Sequence, residues 1–360
     1  MTRPARVIID LAALRHNYSR VQQLAPACRV MAVVKADAYG HGLIRVAREL
    51  SSADAFGVAC LEEAEQLREA GVTQPVILLE GPYHISELLQ IESLNLDIVV
   101  HEASQIEMLE ESSLSLPLKV WLKLDSGMHR LGFDVEELSS VWQRLVHCTN
   151  VDNDIVLMTH LATANVMGNP MTDLQLNKFS EACAGYDAMR CIANSAGVVG
   201  SIDSHADWVR PGLMLYGVSP MQDSLAVDHD LRPVMSLHSQ LISVKKLKKG
   251  EAVGYGASWR CPSDTIIGIV AAGYGDGFPR HAKSGTPTLV NGQRASIIGN
   301  ASMDMLTVDL SAQSAAKVGD PVELWGKNLA IEEVALHADT IPYEILCGVH
   351  KRLQFIETYG

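Results

Sequence analysis

The chain has 360 residues, 48% apolar and 20% charged, which is enough to bury a core and too few charges for a disordered chain. A net charge of −13, with a pI near 5.4, argues against nucleic acid as the main partner. Its 7 scattered cysteines include no CxxC pair, which argues against a disulfide framework or a zinc site and fits reduced thiols. The start, Met1-Thr2-Arg3-Pro4-Ala5-Arg6, carries no apolar signal segment, and no apolar stretch approaches membrane-spanning length. The expectation is a soluble cytoplasmic protein.

Val7-Ile8-Ile9 reads as a short strand, expected to pair with the C-terminal region. Asp10 follows as the N-cap of a helix in which Leu11, Leu14, Tyr18 and Val21 share one face. From residue 28 to about 215, apolar runs then alternate with amphipathic stretches. The runs are Val30–Lys35, Ala55–Ala59, Pro75–Leu79, Asp97–Val100, Leu118–Leu124, Ile155–His160, Cys191–Asn194 and Trp208–Val209. The helical pattern Leu61–Ala70, with acids early and Gly71 as its stop, is the cleanest of those between them. Such alternation predicts an α/β fold, a (β/α)8 TIM-like barrel, over residues 1–228. From 229 to 360 the runs shorten and turns appear at Lys249-Gly250, Asn291-Gly292 and Gly319-Asp320. Thr288–Ala295 is a hairpin signal, since Asn-Gly supplies the positive φ angles of a type I′ turn. The second domain is therefore expected to be mainly β. The basic run Lys245-Lys246-Leu247-Lys248-Lys249 reads as a solvated strand end.

Lys35 is the candidate catalytic residue. It ends the first barrel run and opens into the glycine-containing segment Ala36-Asp37-Ala38-Tyr39-Gly40-His41-Gly42. The C-terminal ends of barrel strands are where such folds keep their chemistry. An amine desolvated there loses its proton more readily and can form an imine with an aldehyde. The other reading of Lys35 is a lysine snorkelling from a strand end. Barrels often bind phosphate between the loops after strands seven and eight. Here those loops hold Asn194-Ser195-Ala196-Gly197 and Arg210-Pro211-Gly212-Leu213. A serine hydroxyl with backbone N–H groups suits a phosphate; Ser195 also reads as a helix N-cap and Pro211-Gly212 as a turn. A lysine and an anion site in one barrel mouth together fit pyridoxal 5′-phosphate (PLP).

Several motifs carry a resemblance over essentially the whole chain. They are Val34–Gly42, Lys123–Gly132, Val209-Arg210-Pro211-Gly212, Val253–Gly256, Gly273–Gly277, Ser302–Met305 and Pro342-Tyr343-Glu344. With them the chain resembles the alanine racemase family, enzymes of PLP fold type III. The resemblance implies that L- and D-alanine are interconverted by a homodimer with shared active sites, serving D-alanine biosynthesis as a peptidoglycan precursor.

The resemblance also implies residue roles. Lys35 would hold PLP and act as a base, and Tyr255 of the partner subunit would be the second proton carrier. Tyr39, Ser195, Gly212, Leu213 and Tyr343 would contact the phosphate. His160 would pack near the ring, Arg210 would face the pyridine nitrogen, and Arg130 would touch the phenolic oxygen and the substrate carboxylate. Met303 and Asp304 would bind substrate. Lys123 would be carbamylated and steady Arg130, or stay a plain lysine beside a bound anion. Asn165, Tyr274 and Arg280 would line the access route. Asn165 stands where relatives usually carry aspartate, which bears on selectivity, while Tyr343 narrows the pocket towards a small side chain. No metal is implied.

Three further readings share parts of the pattern. A broader-specificity racemase is expected to be exported, and the missing signal segment disfavours it. A non-catalytic PLP-binding barrel would lack the β domain carrying Tyr255. A basic amino-acid decarboxylase prefers an acidic partner at the ring nitrogen, which Arg210 is not.

Overall fold

A computed structural model describes residues 3–359. The chain falls into two compact units. One is Asn17–Leu215 with Ser219–Ser224; the other comprises residues 3–16, Tyr216–Val218 and residues 225–359.

The first unit is the expected barrel. Its eight parallel strands are Arg29–Val33, Ala55–Val58, Val76–Leu78, Asp97–Val100, Val120–Asp125, Val156–Met158, Arg190–Asn194 and Trp208–Arg210. The ring closes where the eighth strand returns to the first, through the pairs Trp208↔Arg29 and Val209↔Val30. Helices such as Leu61–Glu69 and Pro170–Cys183 connect the strands. Strands in this setting are buried on both faces, which is why they read as continuous apolar runs. Met31, Ala55, Ile77, Val99, Trp121, Val156, Met158, Cys191 and Trp208 fill the interior as one cluster. Trp121 and Trp208 meet edge to face, with centroids 5.2 Å apart.

The second unit is built on an antiparallel sheet. Met235–Leu247 pairs with Pro321–Trp325 through its first half and with Thr265–Val270 through its second. Pro287–Val290, Gln293–Ile297 and Leu306–Asp309 complete a closed ring of strands. The hairpin forms as predicted, with Asn291 at φ 51° and Gly292 at φ 73°. Arg6–Asp10 lies antiparallel to Met235–Leu247 and parallel to Gln354–Thr358. The helix Leu11–Leu24 follows, and Asp10 caps it by accepting from the Ala13 N–H at 3.0 Å. Among the described residues no helix is long and apolar enough to cross a membrane.

Candidate active site

Side chains alternate faces along a strand, so the residue two beyond an interior one again points inward, nearer the C-terminal mouth. From Trp121 that residue is Lys123, from Met158 it is His160, and from Trp208 it is Arg210. Along the first strand Met31 is followed by Val33 and then by Lys35. Register thus sends Lys123 and Arg210 to one end of the barrel, and Lys35 and His160 follow just past the ends of their strands. Lys123 and His160 both feel the charges of Lys35, Arg130 and Arg210.

The segment after Lys35 is not the open loop expected. Ala36, Asp37, Ala38 and Tyr39 all stand at φ 53–54° and form a single left-handed helical turn before Gly40 and Gly42, also at positive φ. Such a conformation costs roughly 1–2 kcal/mol for each residue carrying a Cβ, so neighbours must hold it. Several do. Glu63 accepts from the backbone N–H groups of Ala36 and Asp37, and Asp37 Oδ1 accepts from the Leu43 N–H at 2.8 Å. His41 is fully buried, with Nδ1 3.0 Å from the carbonyls of both Ala38 and Tyr39, so Nδ1 carries the proton. Arg45 donates to the His41 carbonyl at 2.6 Å.

Burial pulls the His41 pKa down to about 4, against 6.5 for an ordinary histidine. Between those values the unfolded chain binds more protons than the folded one. The stability from this group is therefore complete above about pH 6.5 and is lost as pH falls towards 4. Urea unfolding at stepped pH should show a loss on the order of 3 kcal/mol across that window. His41→Asn should flatten the slope, and an unchanged slope in that variant would remove His41 as its source.

Beside the turn, the loops after the seventh and eighth barrel strands meet. Ser195 starts the helix Ser195–Gly200, and its Oγ accepts from the Gly212 N–H at 2.8 Å. Asn194 is the N-cap, its side chain accepting from the Gly197 N–H at 2.9 Å. Gly212 is required by close approach: a Cβ there would sit 2.5 Å from the Tyr39 hydroxyl oxygen. Ser195, Gly212, Leu213 and the Tyr39 ring are all buried.

Arg210 is buried and fixed by carbonyls. Nη1 donates to Cys191 O at 3.0 Å, and Nη2 donates to Thr159 O at 2.8 Å and lies 3.2 Å from His160 Nδ1. Burial and the surrounding cations hold the His160 pKa well below the ordinary value, so it is neutral and Arg210 carries the positive charge of that pair. Lys123 is buried, and burial followed by the charge of Arg210 lowers its pKa to about 8. Arg130 sits exposed on a loop organised by Asp125, whose Oδ1 accepts from the N–H groups of Gly127, Met128 and His129. Asn165 is exposed, and its carbonyl accepts from the Gln222 N–H at 2.8 Å.

The remaining predicted residues belong to the second unit. Tyr255 sits in a tight turn, with Gly254 at φ 69° and Gly256 at φ 73°, and its side chain is 73% exposed. Its carbonyl accepts from Asn300 Nδ2 at 2.9 Å. The Tyr274 segment lies on the Met303 segment: the N–H of Tyr274 donates to Ser302 O at 3.0 Å and that of Gly275 to Met303 O at 2.9 Å. A Cβ on Gly273 would come within 2.2 Å of Ser302 O, which accounts for that glycine. Asp276 is fully buried between Arg3, at 3.0 Å, and Arg352, at 2.8 Å, and Arg352 also pairs with Asp304 at 2.8 Å. Arg280 is exposed, and Tyr343 stands in the first turn of the helix Pro342–Cys347.

Reading the sequence missed Glu63, Asn194 and the Arg3–Asp276–Arg352 cluster. Glu63 was visible only as an early acid in a helix, and Asn194 as the residue before Ser195. The arginines lie too far from Asp276 in the chain for any local pattern to join them.

The chain matches the descriptions "Alanine racemase, N-terminal domain" over residues 9–220 and "Alanine racemase, C-terminal domain" over residues 234–357. It is 48% identical over 361 residues to an alanine racemase of Shewanella frigidimarina (strain NCIMB 400), covering 97% of each chain. The crystal structure of biosynthetic alanine racemase from Pseudomonas aeruginosa superposes with a TM-score of 0.97 at 45% identity, covering 99% of this chain and 100% of that one. Alanine racemase from Bartonella henselae with covalently bound pyridoxal phosphate gives 0.88 at 29% identity, covering 99% of each. The chain belongs to the alanine racemase family.

Proposed function

We propose that this chain interconverts L- and D-alanine with PLP held on Lys35, using two proton carriers, Lys35 on one face of the substrate and Tyr255 of a second copy on the other. The observation that carries the reading is the amine of Lys35 at a barrel mouth shared with Lys123, Arg130 and Arg210. The residues present fit the cofactor. Gly212 packs closely on the Tyr39 hydroxyl and on Ser195, and the excess positive charge at this mouth suits a phosphate and a carboxylate. The Bartonella henselae relative carries the same group covalently.

In this reading Lys35 would hold the aldehyde, and Tyr39, Ser195, Gly212, Leu213 and Tyr343 would hold the phosphate. When bound, PLP supplies an electron sink that acidifies the substrate α C–H. Arg210, whose guanidinium donates to the Cys191 and Thr159 carbonyls, would stand at the ring nitrogen and would not hand it a proton. Arg130 and the Met303 N–H orient the substrate carboxylate, with Asp304 beside them. Neutral His160 contributes position rather than charge. Asn165, Tyr274 and Arg280 line the access route. The exposed Tyr255 is what supports a homodimer, and the scattered cysteines, with no disulfide among the described residues, support a cytoplasmic location.

Lys123 is carbamylated in this account. A pKa of about 8 leaves a substantial neutral fraction at neutral pH. That amine can attack CO₂, forming an N–C bond and releasing a proton. The resulting carbamate anion pairs with Arg130 and relieves the crowding of cations. Carbon NMR with labelled bicarbonate should show one carbamate signal, absent from Lys123→Ala; a bare amine at saturating bicarbonate would refute the modification.

The reading is tested by incubating single-enantiomer amino acids in D₂O. Inversion with α-deuteration of alanine alone is the expected result. Comparable inversion of larger amino acids would replace it with a broad-specificity racemase, and CO₂ release with a decarboxylase.

A further inference from the structure

We infer that Glu63 is a positioning residue for Lys35, a role that rests on the proposed chemistry of that amine. The first and second barrel strands pair up to the rung in which the Val34 N–H donates to Gly57 O at 2.9 Å. Beyond that rung the main chains part, and the first turns left-handed. The Glu63 carboxylate continues the ladder in place of a carbonyl. Oε1 accepts from the Ala36 N–H at 2.6 Å and from the Asp37 N–H at 3.4 Å, and Oε2 accepts from the Ala59 N–H at 2.9 Å.

These two N–H groups open the left-handed turn, and the bonds within it start later, at Ala38 N–H to Val34 O and Gly40 N–H to Ala36 O. Like the first donors of any helix, they need a partner from outside. Glu63 supplies it one peptide away from the Lys35 Cα. The carboxylate is itself held, because Ala64 and Leu67 bury the helix Leu61–Glu69 against the barrel. One acidic side chain thus fixes the backbone that aims the reactive amine, and both its oxygens are needed. Glutamine offers one acceptor oxygen, and its NH₂ would face an N–H donor on the other side.

The test compares wild type with Glu63→Gln and Glu63→Ala by backbone amide exchange in the cofactor-free protein and by separate kcat and KM for alanine. Exchange at Ala36–Tyr39 should accelerate roughly tenfold or more while the barrel strands keep their protection. Turnover should fall on the order of 10²-fold, with KM within about threefold, because the amine is misplaced rather than the substrate lost. Glu63→Gln carries the test should Glu63→Ala fail to fold. Unchanged exchange at the turn, or accelerated exchange with unimpaired kcat, would overturn the inference. A wild-type chain without alanine turnover would sink the proposed function instead, so the two failures are distinguishable.

Discussion

Lys35→Ala loses alanine racemisation, with turnover falling by roughly 10⁴-fold or more. On the proposed mechanism the substitution would remove the group that captures the aldehyde and one of two proton carriers together, and acid–base catalysis alone contributes about 10²–10⁴-fold. The loss should occur without unfolding. Lys35 stands among Lys123, Arg130 and Arg210, so deleting it relieves like-charge repulsion. Chiral chromatography of alanine, with a thermal melt as the folding control, measures both effects. Turnover within tenfold of wild type at saturating PLP would count against Lys35.

Tyr255→Phe is expected to act on one face only. Proton transfer from one enantiomer of alanine should slow by about 10²–10⁴-fold, while α-hydrogen exchange with the other enantiomer, served by Lys35, survives. Phenylalanine keeps the ring and the tight Gly254–Gly256 turn, and only the hydroxyl is lost. Exchange of the α-hydrogen of each enantiomer in D₂O reads the two faces separately. Equal loss on both, with cofactor still bound, would contradict the two-carrier scheme.

The barrel was legible because its strands are buried on both faces, so their side chains read as unbroken apolar runs. The same patterning leaves Lys123 as a charged residue inside the run Leu118–Leu124. The hairpin at Asn291-Gly292 was legible because its turn type demands those residues. The left-handed turn after Lys35 was not. Ala36, Asp37, Ala38 and Tyr39 have no shared preference for positive φ, and the conformation is imposed by Glu63 and His41. Asp276, buried between Arg3 and Arg352, was illegible for a different reason: its partners are distant in sequence and meet only in the fold.

The central claim is that one amine at the end of the first barrel strand captures the cofactor's aldehyde. It is tested most directly by supplying the purified protein with PLP, reducing with borohydride and mapping the modified peptide by mass spectrometry. The account predicts a single stable adduct on Lys35, absent from Lys35→Ala. An unmodified Lys35, or an adduct carried by Lys123 or any other lysine, would contradict it.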